Sequence, residues 1–481
     1  ADVVEHHVPV AIESGQPAHR NDYQTWIKLY DTLDEQAIQN IQQEIAAFKS
    51  KPKISVVMPV YNAPLNFLEE AIRSVQNQIY ENWELCIADD ASTDKAIRPL
   101  LERFSKEDSR IKVTCRTKNG HISAASNSAL SLATGEFVAL LDNDDLLPLH
   151  ALFHVAKAII ENPQAALIYS DEDKINTTGH RYDPYFKCKL NSELLLAQNM
   201  VCHLGVYQRE LLEQIQGFRI GFEGAQDYDL VLRVFEKIKP DQVIHIPKVL
   251  YHWRAIPGST ALVAGEKNYA AEAARKAITE HLSRTGRGGV VTPAPQVPSL
   301  NRVRYPLPDI LPLVSIIIPT RDKAELLSMC LDSLFNKTTY RNFEVIIVDN
   351  GSVEEETHQL FARQPKPQVR VIRDDTPFNY SRLNNLAAKQ SNGELICLMN
   401  NDIEILTPDW LDEMVSFALQ RDIGCVGAKL WYPDGRLQHG GVILGVGGVA
   451  GHSHKYLCKG DHGYFGRANL HQSLSAVTAA C

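Results

Sequence analysis

The first clear rhythm in the chain is helical. Between Asn21 and Ser50, the residues Trp26, Ile27, Tyr30, Leu33, Ile38, Ile41, Ile45 and Phe48 recur at roughly helical spacing, which predicts one or two amphipathic helices. Their polar face is not notably basic, so the pattern favours packing on the following domain over a membrane-surface or partner-binding role. The rhythm then changes. "ISVVMPVYN" from Ile54 is a short β-rich run closed by proline, "LNFLEEAIRSVQNQ" is helical, and "WELCIADD" is a second strand. Strand, helix and strand at this spacing form a βαβ unit, which implies a parallel sheet buried on both faces. "IKVTC" and "FVALLD" add two further strands. Ligands of open parallel sheets bind beyond the carboxyl ends of the strands, and "PVYN", "DDAS" and "DNDD" all fall there.

The same pattern occurs twice. "VSIIIPTRD" from Val314 repeats "ISVVMPVYN", and "FEVIIVDNGS" repeats "WELCIADDAS". Pro319 follows Pro59, and Asp349 follows Asp89, by 260 positions; Asn385, Gly393 and Asn400 follow Asn127, Gly135 and Asp142 by 258. A shared register with a single two-residue slip predicts two copies of one α/β domain. Between them lie six prolines from Pro293 to Pro312, read as an extended, semi-rigid connector. The expected division is a helical segment over 1–50, a first domain over 51–290, a linker over 291–312 and a second domain over 313–481.

Length and composition agree with this division. A chain of 481 residues exceeds one compact core, and 44% hydrophobic with 22% charged residues is ordinary for a globular protein. A net charge of -9 and a pI near 6.0 argue against a nucleic-acid partner. Nine cysteines without CxxC pairs make a poor disulfide framework and suggest a reducing, cytoplasmic setting. No apolar run approaches the roughly 20 residues of a membrane span, and "ADVVEHHVPVAIESG" lacks a signal-peptide pattern. Peripheral contact with the inner face of a membrane, or with a larger assembly, is compatible with this.

The candidate chemistry is acidic. In "ALLDNDDLLP", Asp142 and Asp144 are separated by one residue at a strand end, where two carboxylates can share a hard divalent cation such as Mn²⁺ or Mg²⁺. Asp145 is read mainly as the cap of the helix that follows, and Asn143 as spacing. Asp89 and Asp90 close the second strand; either carboxylate suits the imide N–H of uracil or thymine, and an Asx turn accounts for one of them.

These stretches, with "GAQDYDL" and "VLYHWR", resemble the family-2 nucleotide-sugar glycosyltransferases of the GT-A fold, closest to bacterial enzymes of O-antigen, capsule and rhamnose-type polysaccharides. The resemblance covers nearly all of 54–260 and, from 314, only the first half of the repeat. It implies α/β architecture with two tandem GT-A domains, the second incomplete. It implies that Pro59, Val60 and Tyr61 line a nucleoside pocket with Asp89 reading the base, Asp90 and Asn143 beside it, and that Asp144, helped by Asp142, holds the metal bridging a UDP- or dTDP-linked donor. Asp227 falls at the catalytic-base position, where a carboxylate can take the proton of an acceptor hydroxyl, with Gln226 where Glu is frequent. A helix cap is the plainer account of Asp227, and Asp229 is the better candidate for structural work. His252 falls where relatives supply a third metal ligand, a packed histidine being its alternative, and Arg254 is placed to meet the diphosphate. Ser126 stands where the family often carries Arg, which puts that cationic contact in doubt.

The second copy keeps Pro319, Thr320 and Asp349 for a nucleotide, but its acidic triplet is Asn400, Asn401 and Asp402. Asp402 with Asn400 remains a weaker metal set. "NND" and "PFNYSRLNN" with Arg382 are similar to the rhamnosyltransferase-like members. His439, His452 and His454 lie in a Gly-rich stretch, read as solvent-facing turns rather than a metal site. The chain ends at "SAVTAAC" without a counterpart of "GAQDYDL", which is read as truncation. The expected activity is inverting sugar transfer to a growing polysaccharide or lipid-linked glycan. The alternatives are a glycan-binding scaffold with decayed sites, and a nucleotidyltransferase, which should show a Gly-rich basic loop that "PVYNAP" lacks.

Overall fold

The computed structural model describes residues 22–256, 268–364 and 367–481. The opening stretch 1–21 and the "PGST" end of the "VLYHWRAIPGST" motif lie outside them. The chain divides into two compact units, Ala1–His281 and Leu282–Cys481.

In the first unit, the expected helical segment forms two helices, Tyr23–Tyr30 and Glu35–Ala47, each opened by an aspartate, Asp22 and Asp34, whose side chain accepts a main-chain N–H. Ile41 is buried, and Leu33, Ile45 and Phe48 pack against the main core. The βαβ reading holds. Strands β1 (Ile54–Val60) and β2 (Trp83–Asp89) are buried at every position and pair in parallel from Ile54↔Trp83 to Val60↔Asp89. The connecting helix Leu65–Gln76 buries Leu68, Ala71, Ile72 and Val75, the i, i+3, i+4, i+7 stripe of a helix laid on a sheet. β3 (Ile111–Cys115) and β4 (Phe137–Leu140) extend the parallel part. Beyond β4 come β5 (Leu167–Ile175), β6 (Arg181–Tyr185), β7 (Gly205–Gln208) and β8 (Val243–Arg254). The sheet runs β3-β2-β1-β4-β7-β5-β6, with β8 on β5; β7 is antiparallel to both neighbours.

The segment expected to be a linker is instead structured. Val290–Ala294 (β9) and Val297–Arg304 (β10) form an antiparallel hairpin within the second unit. Of the segment's six prolines, Pro293 and Pro298 lie in this two-stranded ribbon, where a missing N–H is tolerated at an edge, and Arg302 and Arg304 bind Glu413 and Asp409. Then β11 (Val314–Thr320), β12 (Phe343–Asp349), β13 (Val369–Arg373) and β14 (Leu395–Leu398) build a four-stranded parallel sheet ordered β13-β12-β11-β14.

The repeat extends to buried polar contacts. Ser55 Oγ donates to Glu84 at 2.6 Å and Ser315 Oγ to Glu344 at 2.7 Å. The same hydroxyls accept from Gly135 N and Gly393 N, each at 2.9 Å. A Cβ on Gly135 would stand 2.5 Å from Lys53 O, and one on Gly393 2.6 Å from Ser315 N, so these glycines let neighbouring strands close up. In the first unit Glu84 also binds Lys53 and Lys112 at 2.6 and 2.7 Å. Burial alone would raise its pKa; the two ammonium groups and the donated hydrogen bonds outweigh that and hold the carboxyl well below the usual range. No helix among the described residues is long and apolar enough to cross a membrane.

Candidate active site

In the first unit the site forms where β1, β2 and β4 end together, beside β8 and the helix Gln226–Phe235. After β1, Asn62 turns the chain with φ 47° and its Oδ1 accepts from Thr93 N at 2.9 Å, tying the loop after β1 to the loop after β2. Pro59 and Val60 are buried, whereas Tyr61 exposes its ring. Asn143 is more than a spacer: its Nδ2 donates to Pro59 O at 2.8 Å, joining the acidic loop to the end of β1. Asp89 takes the turn role, accepting from Ser92 N at 3.2 Å. Asp90 accepts from Gly120 N and faces Arg116 Nε at 2.7 Å.

The acidic loop departs from expectation at Asp145. The following helix begins only at Ala151, with His150 at its cap position, so Asp145 does not cap it. Its carboxylate is fully buried and accepts from Tyr251 Oη at 2.5 Å and Arg254 N at 2.6 Å. That binds the loop to β8. Arg254 is likewise taken up locally: its Nε donates to Asp144 O at 2.7 Å, its Nη2 to Glu70 at 2.6 Å, and its guanidinium lies over Phe67. The expected cation for the diphosphate is thus a buried brace for the loop.

Asp142, Asp145 and His203 bring ligand atoms within 4.8 Å of one another. His203, which precedes β7, stacks on Tyr251 with centroids 4.4 Å apart. His252, expected as the histidine ligand, is outside this group, because successive residues of a strand face opposite sides; its Nδ1 meets Asp173 at 2.5 Å. Asp173 also accepts from Tyr23 Oη at 2.6 Å and Arg181 Nε at 2.5 Å, so the packed-histidine alternative describes His252. Asp144 keeps its carboxyl near the group. Burial and the neighbouring Asp142 charge push its pKa up to about 6, and burial with Asp144 and Asp142 raises Asp145 well above the usual carboxylate range. Crowded carboxyls whose ionised forms disfavour one another suit an added cation, and an O,O,N donor set suits Mn²⁺ or a similar ion. The residues present fit a divalent metal.

Asp227 is the second residue of the helix Gln226–Phe235, inside its first turn rather than at its cap, which is Ala225. Its Oδ2 accepts from Asn199 Nδ2 at 2.7 Å. Burial raises its pKa, with Asp142 adding to the shift and His203 opposing it. Asp227 and the acidic loop are therefore close enough to feel each other's charge. Asp229, two residues on, is fully buried between Arg219 and Arg233, the structural part expected of it. Asn127 holds Phe218, accepting from Phe218 N and donating to Phe218 O, each at 2.8 Å.

In the second unit Asn401 Nδ2 donates to Thr320 Oγ1 at 2.9 Å, the counterpart of Asn143 on Pro59. Asp349 is buried, accepts from Ser352 N at 2.9 Å and binds Arg373 at 2.5 Å. Pro319 sits at the end of β11 beside it. Asp402 is exposed and Asn400 half-buried, and no metal-type cluster forms around them among the described residues. His439 corrects the solvent-facing reading: it is buried, with its Nδ1 at 2.9 Å from His452 Nδ1.

His203, Arg116, Asn199 and Asp173 were not singled out in the sequence. Arg116 follows directly on β3, so the strand-end rule that selected Asp89 could have found it. His203 stands in "NMVCHLG", which carries no pattern; only the folded sheet brings it to Asp142.

Acidic and amide side chains gathered at the carboxyl ends of parallel strands, with a further carboxylate alongside, define a doubly wound α/β protein with a strand-end site whose residues fit a divalent cation. Glycosyl transferase family 2 matches residues 55–216 and 315–444, and the chain belongs to that family. It is 39% identical over 468 residues to the O-antigen biosynthesis protein RfbC of Myxococcus xanthus, covering 97% of this chain and 36% of that protein. It is 49% identical over 444 residues to the Sinorhizobium fredii protein y4gI, covering 92% of this chain and 49% of that one. The chain thus spans half or less of the length of these two relatives. Among solved structures, S. aureus TarS 1–349 in complex with UDP-GlcNAc aligns with a TM-score of 0.40 at 22% identity, over 48% of this chain and 66% of that one.

Proposed function

We propose that the first unit is a metal-dependent, inverting glycosyltransferase that moves a sugar from a nucleoside-diphosphate donor, UDP- or dTDP-linked, to a hydroxyl of a growing bacterial polysaccharide or lipid-linked glycan. The observation that carries this reading is the convergence of Asp142, Asp145 and His203 within 4.8 Å, with the half-buried Asp227 near enough to respond to Asp142. Names of relatives support the substrate class: RfbC is an O-antigen biosynthesis protein, and an Escherichia coli chondroitin synthase is 28% identical over 244 residues.

Each residue then has a physical task. Asp142, Asp145 and His203 would hold a divalent ion with Asp144 alongside, and the ion would supply positive charge against the departing diphosphate. Pro59, Val60 and Tyr61 would border the nucleoside, and Asp90 would accept from its base. Asp227 would take the acceptor's proton as its oxygen attacks the anomeric carbon from the side opposite the leaving group, which inverts that centre. Asn199 orients the carboxylate for this. In the second unit Pro319, Thr320 and Asp349 would hold a nucleotide, with Asp402 and Asn400 as a weaker metal set.

Thermal shift of the purified chain against UDP-, dTDP- and GDP-sugars with Mn²⁺ or Mg²⁺ tests the reading. A donor that raises Tm only with the metal present is the expected result. No shift with any nucleotide sugar overturns it.

A further inference from the structure

His203 belongs to neither a helix nor a strand; it stands in the stretch between the helix Ser192–Ala197 and β7. Its main chain is nevertheless held on both sides, and by one buried ion pair. The His203 N–H donates to Glu172 Oε2 at 3.0 Å, and the His203 C=O accepts from Lys187 Nζ. Lys187 Nζ also donates to Val201 O at 2.7 Å and to Glu172 Oε2 at 2.9 Å, so all three donors of the ammonium are used. Glu172 lies on β5, and the chain around Lys187 is tied to the same strand: Lys187 N donates to Asp171 Oδ1 at 2.8 Å, and Cys188 O accepts from Tyr169 Oη at 2.6 Å. The pair therefore transmits the position of β5 to the loop that carries His203.

Stability alone is a poor account of such a pair. The Lys187 side chain is 0% exposed and that of Glu172 7%, and no other lysine among the described residues is buried. Removing two charges from water costs about as much as their attraction returns, and neutral groups of similar volume often serve stability as well. What a neutral pair does not supply is a donor that holds Val201 O and His203 O together. The imidazole ring is fixed separately. It stacks on Tyr251, whose hydroxyl donates to Asp145 and accepts from Asp142 N at 3.2 Å. Ring orientation and main-chain position together set where the imidazole nitrogens stand against the two carboxylates.

We propose that Lys187 and Glu172 are positioning residues for the metal group: they lock the loop 201–203 so that His203 meets the cation beside Asp142 and Asp145. The proposal rests on the metal-dependent reading above. Field and geometry separate by charge. Lys187→Met on its own removes a positive charge near a cation site, which by field alone would tighten metal binding. Lys187→Met combined with Glu172→Gln removes one charge of each sign, so a change in affinity then reports on geometry.

Electron paramagnetic resonance titration of the full chain with Mn²⁺ alone tests this in the parent, in the paired exchange Lys187→Met/Glu172→Gln, in His203→Ala and in the triple variant, with scanning calorimetry on each. The paired exchange should fold and bind Mn²⁺ roughly 10- to 100-fold more weakly than the parent. In the His203→Ala background the same exchange should change affinity by less than about twofold, because the residue it positions is gone. Should the paired exchange not fold, Glu172→Gln alone takes its place in the cycle. A folded variant that melts lower but binds Mn²⁺ as the parent does, or a loss that persists undiminished without His203, overturns the proposal and leaves the metal-dependent reading standing. No Mn²⁺ binding by the parent overturns both.

Discussion

Asp227 and Asp229 stand two residues apart on one helix, and substituting each with Asn should separate chemistry from stability. Asp229 has 0% side-chain exposure and binds Arg233 Nε at 2.8 Å; Arg233 itself is 8% exposed and continues to Ile215 O and Gly217 O at 2.8 and 2.7 Å. Asp229→Asn removes the charge that allows this guanidinium to be buried. Breaking one side of a buried pair costs about 3–5 kcal/mol; Arg219, a third exposed in the same cluster, adds little. In a unit of this size each kcal/mol lowers Tm by roughly 2–4 °C, so a fall of about 10 °C is expected. Asp227 is the opposite case. Burial raises its pKa, meaning that the fold disfavours its charge, and a neutral amide of the same shape can keep a hydrogen bond with Asn199. Asp227→Asn should therefore melt within about 2 °C of the parent while slowing sugar transfer by roughly 10²–10⁴-fold. Scanning calorimetry with a transfer assay on the donor found by thermal shift reads both. If Asp229→Asn melts with the parent, or Asp227→Asn melts as low as Asp229→Asn is expected to, the division of labour is wrong.

His203→Ala should weaken Mn²⁺ binding, measured by electron paramagnetic resonance titration, by at least about tenfold, whereas an unchanged affinity would remove His203 from the metal group. Glu84→Ala should cost about 3 kcal/mol in urea unfolding, and Glu344→Ala less, because Glu84 satisfies two lysines as well as the strand and loop donors. Glu413 governs acid stability in the second unit: burial works to raise its pKa, but His471 and Arg302 bring it down to about 2. Its folded value lies below the roughly 4.3 of an unfolded glutamate, so its stabilisation is complete above that pH and is lost as pH falls toward 2. The loss should be on the order of 3 kcal/mol, and Glu413→Gln should flatten the acid limb of a pH–stability curve.

The sequence was most legible where burial and repetition impose a pattern. β1 and β2 are buried at every position, so they read as unbroken apolar runs, and their repetition at one spacing exposed the second copy before any contact was known. The polar braces at Ser55, Glu84 and Gly135 were not legible, although they recur at the repeat's two offsets, 260 for Ser315 and Glu344 and 258 for Gly393, because a serine and a glutamate in a strand carry no sign of being buried together. The proline-rich stretch failed for a related reason. Proline frequency speaks for an absence of helix, but the hairpin β9–β10 is held in the second unit by Arg302 and Arg304 on Glu413 and Asp409, partners more than 100 positions away.

At the candidate site the acidic loop was legible in the sequence but the partners of its members were not, and strand geometry explains why. "VLYHWR" offers His252 to a metal and Arg254 to a phosphate, but alternation along β8 sends Tyr251 to Asp145 and His252 to Asp173. The histidine beside Asp142 then comes from a segment nearly fifty residues earlier in the chain. Arg254, a free cation in sequence, donates to Glu70 and to the loop's own backbone, so it fixes where Asp144 sits. The acidic loop is thereby stiffened from both ends, by Asn143 on β1 and by Asp145 on β8. Carboxyls held in place against their own repulsion need no rearrangement to receive a cation, and that preorganisation, more than the number of aspartates, distinguishes the first unit from the second. There Asn401 keeps the tie to Thr320, while Asp402 lies exposed.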